Sequence, residues 1–363
     1  MRVVHVITTV EMGGAENQLM TLCEYQKKEG ISVEIVYLKG RPELKGRIEK
    51  LGIILHDLSR FRFGINQISA LKKIISPKGT IVHAHLPRAE LICAVVKPKN
   101  LVITRHNSEA FFPSFPGNLS KILSRFVCSR AKFGIAISHS VHKYLLEYDE
   151  IPKLFPIEVI YYGFSDVLHS NIQNDEDLRK ELAIDNDVKI VGSVGRLVAQ
   201  KDYRTTLEAF AIVAKKMPKV VFISIGEGNL QDELRELADS LSIKDKVIWL
   251  GRKDNIYQYL HFFDCFILSS IYEGFGLVLL EAASYNLPIV ASNVSAVPEV
   301  LGKNYPFLCG VGNVEEFSCR LLQILNNPQI RPSLKEVNRD ILGRFSPDIM
   351  VKSILSNYEK YCR

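Results

Sequence analysis

"VKIVGSVGRLVAQKDYRTTLEAF", residues 188–210, is the stretch on which the architecture turns. It opens on a run that is apolar on both alternating faces, the mark of a strand covered from two sides. A loop bearing Arg196 and Lys201 follows, and then a segment with helical apolar spacing. A strand, a charged loop and a helix in that order form one βα unit. Units of this kind build parallel sheets whose strand carboxyl ends carry the ligand-facing loops.

The same alternation runs outward in both directions. Downstream come "KVVFISIG", "KVIWLG", "CFILSS", "LPIVASN" and "YPFLC"; upstream lie "RVVHVITT", "VEIVYL", "GIILHDL", "TIVHAHL", "NLVITRH", "FGIAIS" and "IEVIYYG". A chain of 363 residues exceeds one ordinary core, so two successive doubly wound α/β domains are expected. The join falls in "YYGFSDVLHSNIQNDEDL", residues 161–178, dividing the chain into 1–165 and 166–345. Asn174 followed by acidic residues is a helix start, and this assigns Asp175 and Asp177, like Asp185 and Asp187, to helix ends and turns rather than to a metal.

With 47% hydrophobic and 24% charged residues, the composition is that of a globular protein. No apolar run reaches the roughly 20 residues a membrane helix needs, and "MRVVHVITTVEMGGAEN" shows no secretory cleavage pattern, so a cytoplasmic protein is expected. Seven scattered cysteines without a C-x-x-C pair suggest reduced thiols and no zinc site. The net charge of +6 is uneven: residues 1–163 hold 23 Lys and Arg against 14 Asp and Glu, the remainder 23 against 26. The basic first half is expected to face something anionic, either phospholipid or a pyrophosphate-linked substrate. The basic residues follow no nucleic-acid recognition motif, so no nucleic-acid partner is expected.

Several loops carry chemistry. "EMGGAENQ" puts Gly13 and Gly14 ahead of an amphipathic helix, where backbone N–H groups approach a phosphate or sugar; a plain turn explains them equally, and the absence of G-x-G-x-x-G argues against a nicotinamide cofactor. His106 ends the fifth strand, at a ligand position of doubly wound sheets. His83 and His85 share one face of a strand, but no third ligand stands at a recognisable spacing, so they are read as structural. Arg196 and Lys201 suit two cations converging on a diphosphate. Gly226 in "GEGNL" offers backbone to a ligand. In "SSIYEGFGLVLLEAASYNLPIVAS", residues 269–292, Glu273 heads a glycine-flanked loop and a helix is expected to start near Phe275 or Gly276. The amides of Phe275, Gly276 and Leu277 then face an anion, and Glu281 lies one and a half turns inside the helix.

The set "GGAE", "GRLVAQKD", "GEGNL", "LGRKDNI" and "EGFGLVLLEA" with "PIVAS…VPEV" resembles the family-four retaining glycosyltransferases of the GT-B fold, over nearly the whole chain. The resemblance implies two Rossmann-like domains facing a central cleft, with the C-terminal helix, residues 346–363, crossing back to an acceptor-binding first domain, and a second domain that binds a nucleotide sugar, with UDP as the expected nucleotide. It implies that Arg196 and Lys201 hold the donor diphosphate, Glu273 the donor sugar, Glu281 the ribose hydroxyls and the amides of Phe275 to Leu277 the distal phosphate. Arg252 and Lys253 would lie beside the base, with Gly13, Gly14 and Gly226 lining the donor site and His106 near the donor sugar and phosphate. Transfer would retain the anomeric configuration, with the leaving diphosphate taking the acceptor proton and with neither a cofactor nor a divalent metal.

Two departures from the family stand out: Ser295-Ala296 replaces a common glycine, and "YYGFSDV" lacks the usual Asn-Gly. The acceptor would be a saccharide or polyprenyl-diphosphate-linked glycan in bacterial surface polysaccharide, lipopolysaccharide or capsule assembly. The segment 118–131, with Leu119, Ile122, Leu123, Phe126 and Val127 at helical spacing beside Lys121, Arg125, Arg130 and Lys132, is either a core-facing helix or one lying peripherally on an anionic membrane surface. "RFRFG", residues 60–64, is a second aromatic-basic patch. A nucleotide-sugar epimerase or hydrolase of the same fold, or a non-catalytic sugar-binding protein, stays open as an alternative.

Overall fold

A computed structural model describes residues 1–61, 64–165 and 174–362 of the chain. It divides into two compact units, Met1–Ser165 with Phe345–Arg363, and Asp166–Arg344. Part of the join, residues 166–173, and Arg62 and Phe63 of the "RFRFG" patch lie outside the described residues.

The first unit holds seven strands: β1 (Arg2–Ile7), β2 (Ser32–Tyr37), β3 (Ile54–Asp57), β4 (Thr80–His85), β5 (Asn100–Arg105), β6 (Phe133–Ala136) and β7 (Ile157–Val159). They pair in the order β3-β2-β1-β4-β5-β6-β7, all parallel. The chain therefore switches direction between β1 and β4, where two neighbouring loops diverge and leave a crevice beyond the strand ends. The central strands are buried throughout, which is why they read as near-continuous apolar runs.

The last helix, Pro347–Cys362, belongs to this unit. Its buried side chains Met350, Val351, Ile354 and Tyr358 recur at helical spacing and pack on Val3, Val102 and Phe133. Burying each such side chain contributes roughly 1.5–3 kcal/mol, so the helix is part of the first unit's core.

Helix Gly117–Arg130 buries only part of its apolar stripe. Its inward face is Ser120, Ser124, Val127 and Cys128, while Leu119 and Ile122 are 44% and 63% exposed. The reason is the buried charge it covers. Arg105 Nε lies 3.0 Å from Glu90, and its Nη1 donates to Ser124 Oγ at 3.0 Å. Ser124 in turn donates to the Glu150 carbonyl at 2.6 Å, and Ser120 accepts from the Phe112 amide at 2.9 Å. A buried ion pair needs hydrogen-bonding walls, so hydroxyls take the positions that leucine would otherwise fill.

The second unit holds β8 (Lys189–Val194), β9 (Val220–Ile225), β10 (Val247–Trp249), β11 (Cys265–Leu268), β12 (Ile289–Ser292) and β13 (Leu308–Cys309), ordered β10-β9-β8-β11-β12-β13 and again all parallel. Its switch point lies between β8 and β11. The expected helix start at the join is present: Asn174 Oδ1 accepts from the Glu176 amide at 3.3 Å and caps Asp175–Glu181. Asp175 faces His261 at 3.1 Å on the surface. All seven cysteines are free thiols, five of them buried.

Candidate active site

In the second unit the residues singled out in the sequence gather at the carboxyl ends of four strands. Arg196 follows β8 and is exposed; Gly226 follows β9; Arg252 and Lys253 follow β10; Glu273 to Glu281 follow β11. Two loops are stitched together at the switch point. The Ile271 amide donates to the Gln200 carbonyl at 2.8 Å, Gln200 Nε2 donates to the Tyr272 carbonyl at 3.0 Å, and Ser269 Oγ donates to the Asp202 carbonyl at 2.7 Å. Asp202 sits in the left-handed region at φ 44°, and its carboxylate caps helix Tyr203–Lys216 at Thr205. That cap ends the short turn Ala199–Lys201 and aims Lys201 across the switch point.

The result is a contact that sequence spacing did not suggest. Lys201 Nζ lies 2.6 Å from Glu273 Oε1, which also accepts from Ser270 Oγ at 2.6 Å. Glu273 is 5% exposed, so the ammonium is held by a buried, hydrogen-bonded carboxylate and is directed before any ligand arrives.

Gly226 has a role beyond backbone exposure. At φ 138°, a Cβ there would stand 2.0 Å from the Gly195 carbonyl oxygen, and the Gly226 amide donates to Gly251 at 2.8 Å. Close packing of the β8, β9 and β10 loops thus requires the glycine. Beside these loops Glu227 Oε1 accepts from the Arg252 amide at 3.2 Å.

The helix after Glu273 runs Leu277–Ser284, one to two residues later than expected. Gly276 at φ 86° delays it, because a left-handed residue cannot continue a helix and serves as its cap. Phe275 is buried, so the loop is pinned by an aromatic ring while its backbone runs past the strand end. Glu281, on the next turn, has its carboxyl pushed up to about 7 by burial, a rise opposed by a hydrogen bond with Tyr257.

In the first unit, Gly13 caps helix Gly14–Lys28 with extended backbone. A Cβ on Gly13 would meet only the end of the Glu16 side chain, so packing does not demand that glycine. His106, half-buried beyond β5, hydrogen-bonds Tyr162 through Nδ1 and lies 3.3 Å from His85 Nδ1 through Nε2. Burial pulls it down to about 3, helped by the Arg105 charge.

The expectation that His83 and His85 lack a third partner is corrected. His5 on β1 is in register with His83, and one nitrogen of each of the three rings falls within 4.8 Å of the others. Nearly eighty residues separate His5 from them, so motif spacing could not reveal it. The available signal was a histidine inside the otherwise apolar run "RVVHVI".

Two doubly wound units with cations and a helix start at the strand ends have the architecture of the GT-B glycosyltransferases. The chain belongs to these enzymes: residues 12–166 match the model of Glycosyltransferase Family 4, and residues 174–340 that of Glycosyl transferases group 1. It is 26% identical over 287 residues to the N-acetyl-alpha-D-glucosaminyl L-malate synthase of Bacillus anthracis, covering 77% of this chain and 73% of that protein. It is 22% identical to the capsular polysaccharide biosynthesis glycosyltransferase CapM of Staphylococcus aureus, covering 94% and 93%. The crystal structure of Anabaena HepE in complex with UDP-glucose superposes at a TM-score of 0.86, with 19% identity over 99% of this chain and all of that one.

Proposed function

We propose that the chain is a retaining, metal-independent glycosyltransferase that moves a sugar from a UDP-sugar to a saccharide or polyprenyl-diphosphate-linked acceptor in bacterial surface glycan assembly. The observation that carries the donor half is the Lys201–Glu273–Ser270 cluster at the switch point of the second unit. A nucleotide diphosphate needs positive charge already aimed at it, and a lysine held by a buried carboxylate needs little reorganisation as the pyrophosphate departs. One such preorganised group contributes on the order of 3 kcal/mol to the barrier.

In this reading Arg196 and Lys201 neutralise the diphosphate, the work a divalent metal would otherwise do. The amides at the start of Leu277–Ser284 take the distal phosphate and Glu281 accepts from the ribose hydroxyls. Glu273 meets the donor sugar while it positions Lys201. Arg252 and Lys253 flank the base, and Gly13, Gly14, Gly226 and His106 complete the donor surroundings. The leaving phosphate oxygen receives the acceptor hydroxyl proton, so no protein nucleophile is required.

The first unit, with helix Pro347–Cys362, takes the acceptor. Support for a lipid-linked acceptor comes from the exposed Phe115, Leu119 and Ile122 beside Lys121 and Arg125, on the half of the chain with excess positive charge. Such a surface fits peripheral binding to an anionic membrane. Among the described residues no helix is long and apolar enough to cross one.

The test is NMR analysis of products formed from UDP-sugars and polyprenyl-diphosphate-linked saccharides, with and without EDTA. A product of unchanged anomeric configuration that forms only with acceptor and survives EDTA supports the reading. Free sugar released at the same rate without acceptor, an inverted linkage, or loss of turnover in EDTA overturns it.

A further inference from the structure

Four buried or half-buried histidines, two tyrosines, a glutamine and a threonine form one continuous hydrogen-bonded line through the first unit. Tyr162 bonds His106 Nδ1. His106 Nε2 meets His85 Nδ1 at 3.3 Å, and His85 Nε2 meets His5 Nδ1 at 3.0 Å. His5 Nε2 meets Gln26 Oε1 at 2.8 Å. On its other side, Gln26 Nε2 lies 3.5 Å from the Tyr358 hydroxyl, which meets His83 Nδ1 at 2.7 Å, and His83 Nε2 meets Thr104 Oγ1 at 2.6 Å. Both ends of the line, Tyr162 and Thr104, stand in the wall of one recess that His85 and His106 also line, while Gln26 and His5 lie in the core between them.

Every ring nitrogen of His5, His83 and His85 is engaged in this line. The acceptor lone pair of each is already taken up in a hydrogen bond, although the three rings are close enough to suggest a metal ion. Burial lowers His5 to about 4 and His83 and His85 well below the ordinary range, so each ring is neutral and carries one proton. A neutral imidazole that donates at one nitrogen must accept at the other, so fixing the proton on one ring fixes it on the next. Gln26 is the only member whose two ends differ chemically and cannot exchange roles: its oxygen accepts and its nitrogen donates. With Oε1 toward His5, the proton must sit on Nε2 of His5, then on Nε2 of His85, then on Nε2 of His106. Nδ1 of His106 is left as an acceptor for the Tyr162 hydroxyl.

We infer that Gln26 is a positioning residue: acting through His5 and His85, it sets the tautomer of His106 and keeps His106 Nδ1 a hydrogen-bond acceptor. The inference rests on the reading of His106 as a donor-site residue, but its spectroscopic consequence does not.

The test is the 15N spectrum of histidine-labelled full-length protein at pH 7, read beside steady-state kinetics. In the wild-type protein His5, His85 and His106 are expected to carry their proton on Nε2. Gln26→Leu removes the fixed end, so His106 should show a mixture of tautomers, and kcat should fall roughly tenfold to a hundredfold with donor KM within about twofold. Gln26→Glu can only accept. It should preserve the arm from His5 to His106 while moving the His83 proton to Nδ1, because Tyr358 then donates to the new carboxylate. Tyr358→Phe should disturb His83 alone. A His106 proton on Nδ1 in the wild-type protein, or an unchanged His106 tautomer in Gln26→Leu, overturns the proposal. Should Gln26→Leu not fold, the Gln26→Glu spectrum decides by itself: loss of the Nε2 proton on His106 there would equally refute it. An expected tautomer pattern with no change in kcat would leave Gln26 setting the proton and remove His106 from catalysis, a failure of the donor-site reading instead.

Discussion

The two units answer one problem in opposite ways. Each sets polar side chains in or beside its core at the switch point of a parallel sheet. In the second unit a half-buried cation, Lys201, and a buried carboxylate, Glu273, compensate each other at 2.6 Å. In the first unit four histidines hydrogen-bond to one another and to neutral side chains, and burial drives them to the neutral state. Buried charge survives where a counter-charge accompanies it, and elsewhere the group gives up its charge. On the proposed function the first solution serves a site that meets a diphosphate, and on the inference drawn above the second serves one that presents a neutral hydrogen-bond acceptor.

The sharpest way to break this contrast is Lys201→Ala. On the proposed function it removes a diphosphate cation, so turnover should fall on the order of 10²- to 10³-fold. It also strands a buried carboxylate, which should cost about 3–5 kcal/mol in stability by urea unfolding. Adding Glu273→Gln should recover most of that stability without restoring UDP binding in calorimetry. A double variant that binds UDP normally would remove Lys201 from the donor site.

A second test uses pH, where the histidines of the first unit and Glu281 of the second should move in opposite directions. The histidines of the first unit titrate below their unfolded value near 6.5, His5 near 4 and His106 near 3. The unfolded chain therefore binds protons that the folded unit refuses. Stability is full above pH 6.5 and is lost as pH falls through that window, on the order of 3 kcal/mol from His5 alone. Glu281 is shifted the other way, from 4.5 to about 7. Its folded form keeps a proton that the unfolded chain releases, so stability is greatest below pH 4.5 and declines as pH rises to 7. Hydrogen exchange, corrected for intrinsic rates, should show β4 losing protection from pH 7 to pH 5. Glu281→Gln should raise stability at pH 8 by about 1–3 kcal/mol and leave it unchanged at pH 4. Equal gains at both values would show that Glu281 is not a strained acid.

The smallest effect concerns the loop around Ser295. Ser295 adopts φ 50°, a left-handed conformation that disfavours side chains. Ser295→Gly should stabilise by at most about 1 kcal/mol, read as a rise of a few degrees in melting temperature. A fall instead would mean that the serine side chain makes a contact worth more than the backbone strain.

Much of this was legible in the linear chain because the information was local. Thirteen short apolar runs, each followed by a polar loop and a helical segment, specify the strands, since a strand covered on both faces has no polar side to show. The loop residues of the second unit were equally readable, because motifs within one βα unit keep their neighbours within a few positions. The cations Arg196 and Lys201 and the glycine-flanked Glu273 are of that kind. The inward face of helix Gly117–Arg130 was less legible, because only Val127 of its apolar stripe is buried and serines fill the rest of that face. The buried face answers to Arg105 and Glu90, which arrive from elsewhere in the chain.

The sequence by itself determined the class of fold, the order of its elements and the family to which the chain belongs, because each depends on patterns that repeat over a few residues. Only the tertiary structure decided that Lys201 rests on Glu273, and that Gln26, His5, His85 and His106 share one line of protons with Tyr358 of the final helix. Parallel sheets place strands from distant parts of the chain side by side. The partners of a buried polar group are therefore set by sheet order, which local spacing does not encode.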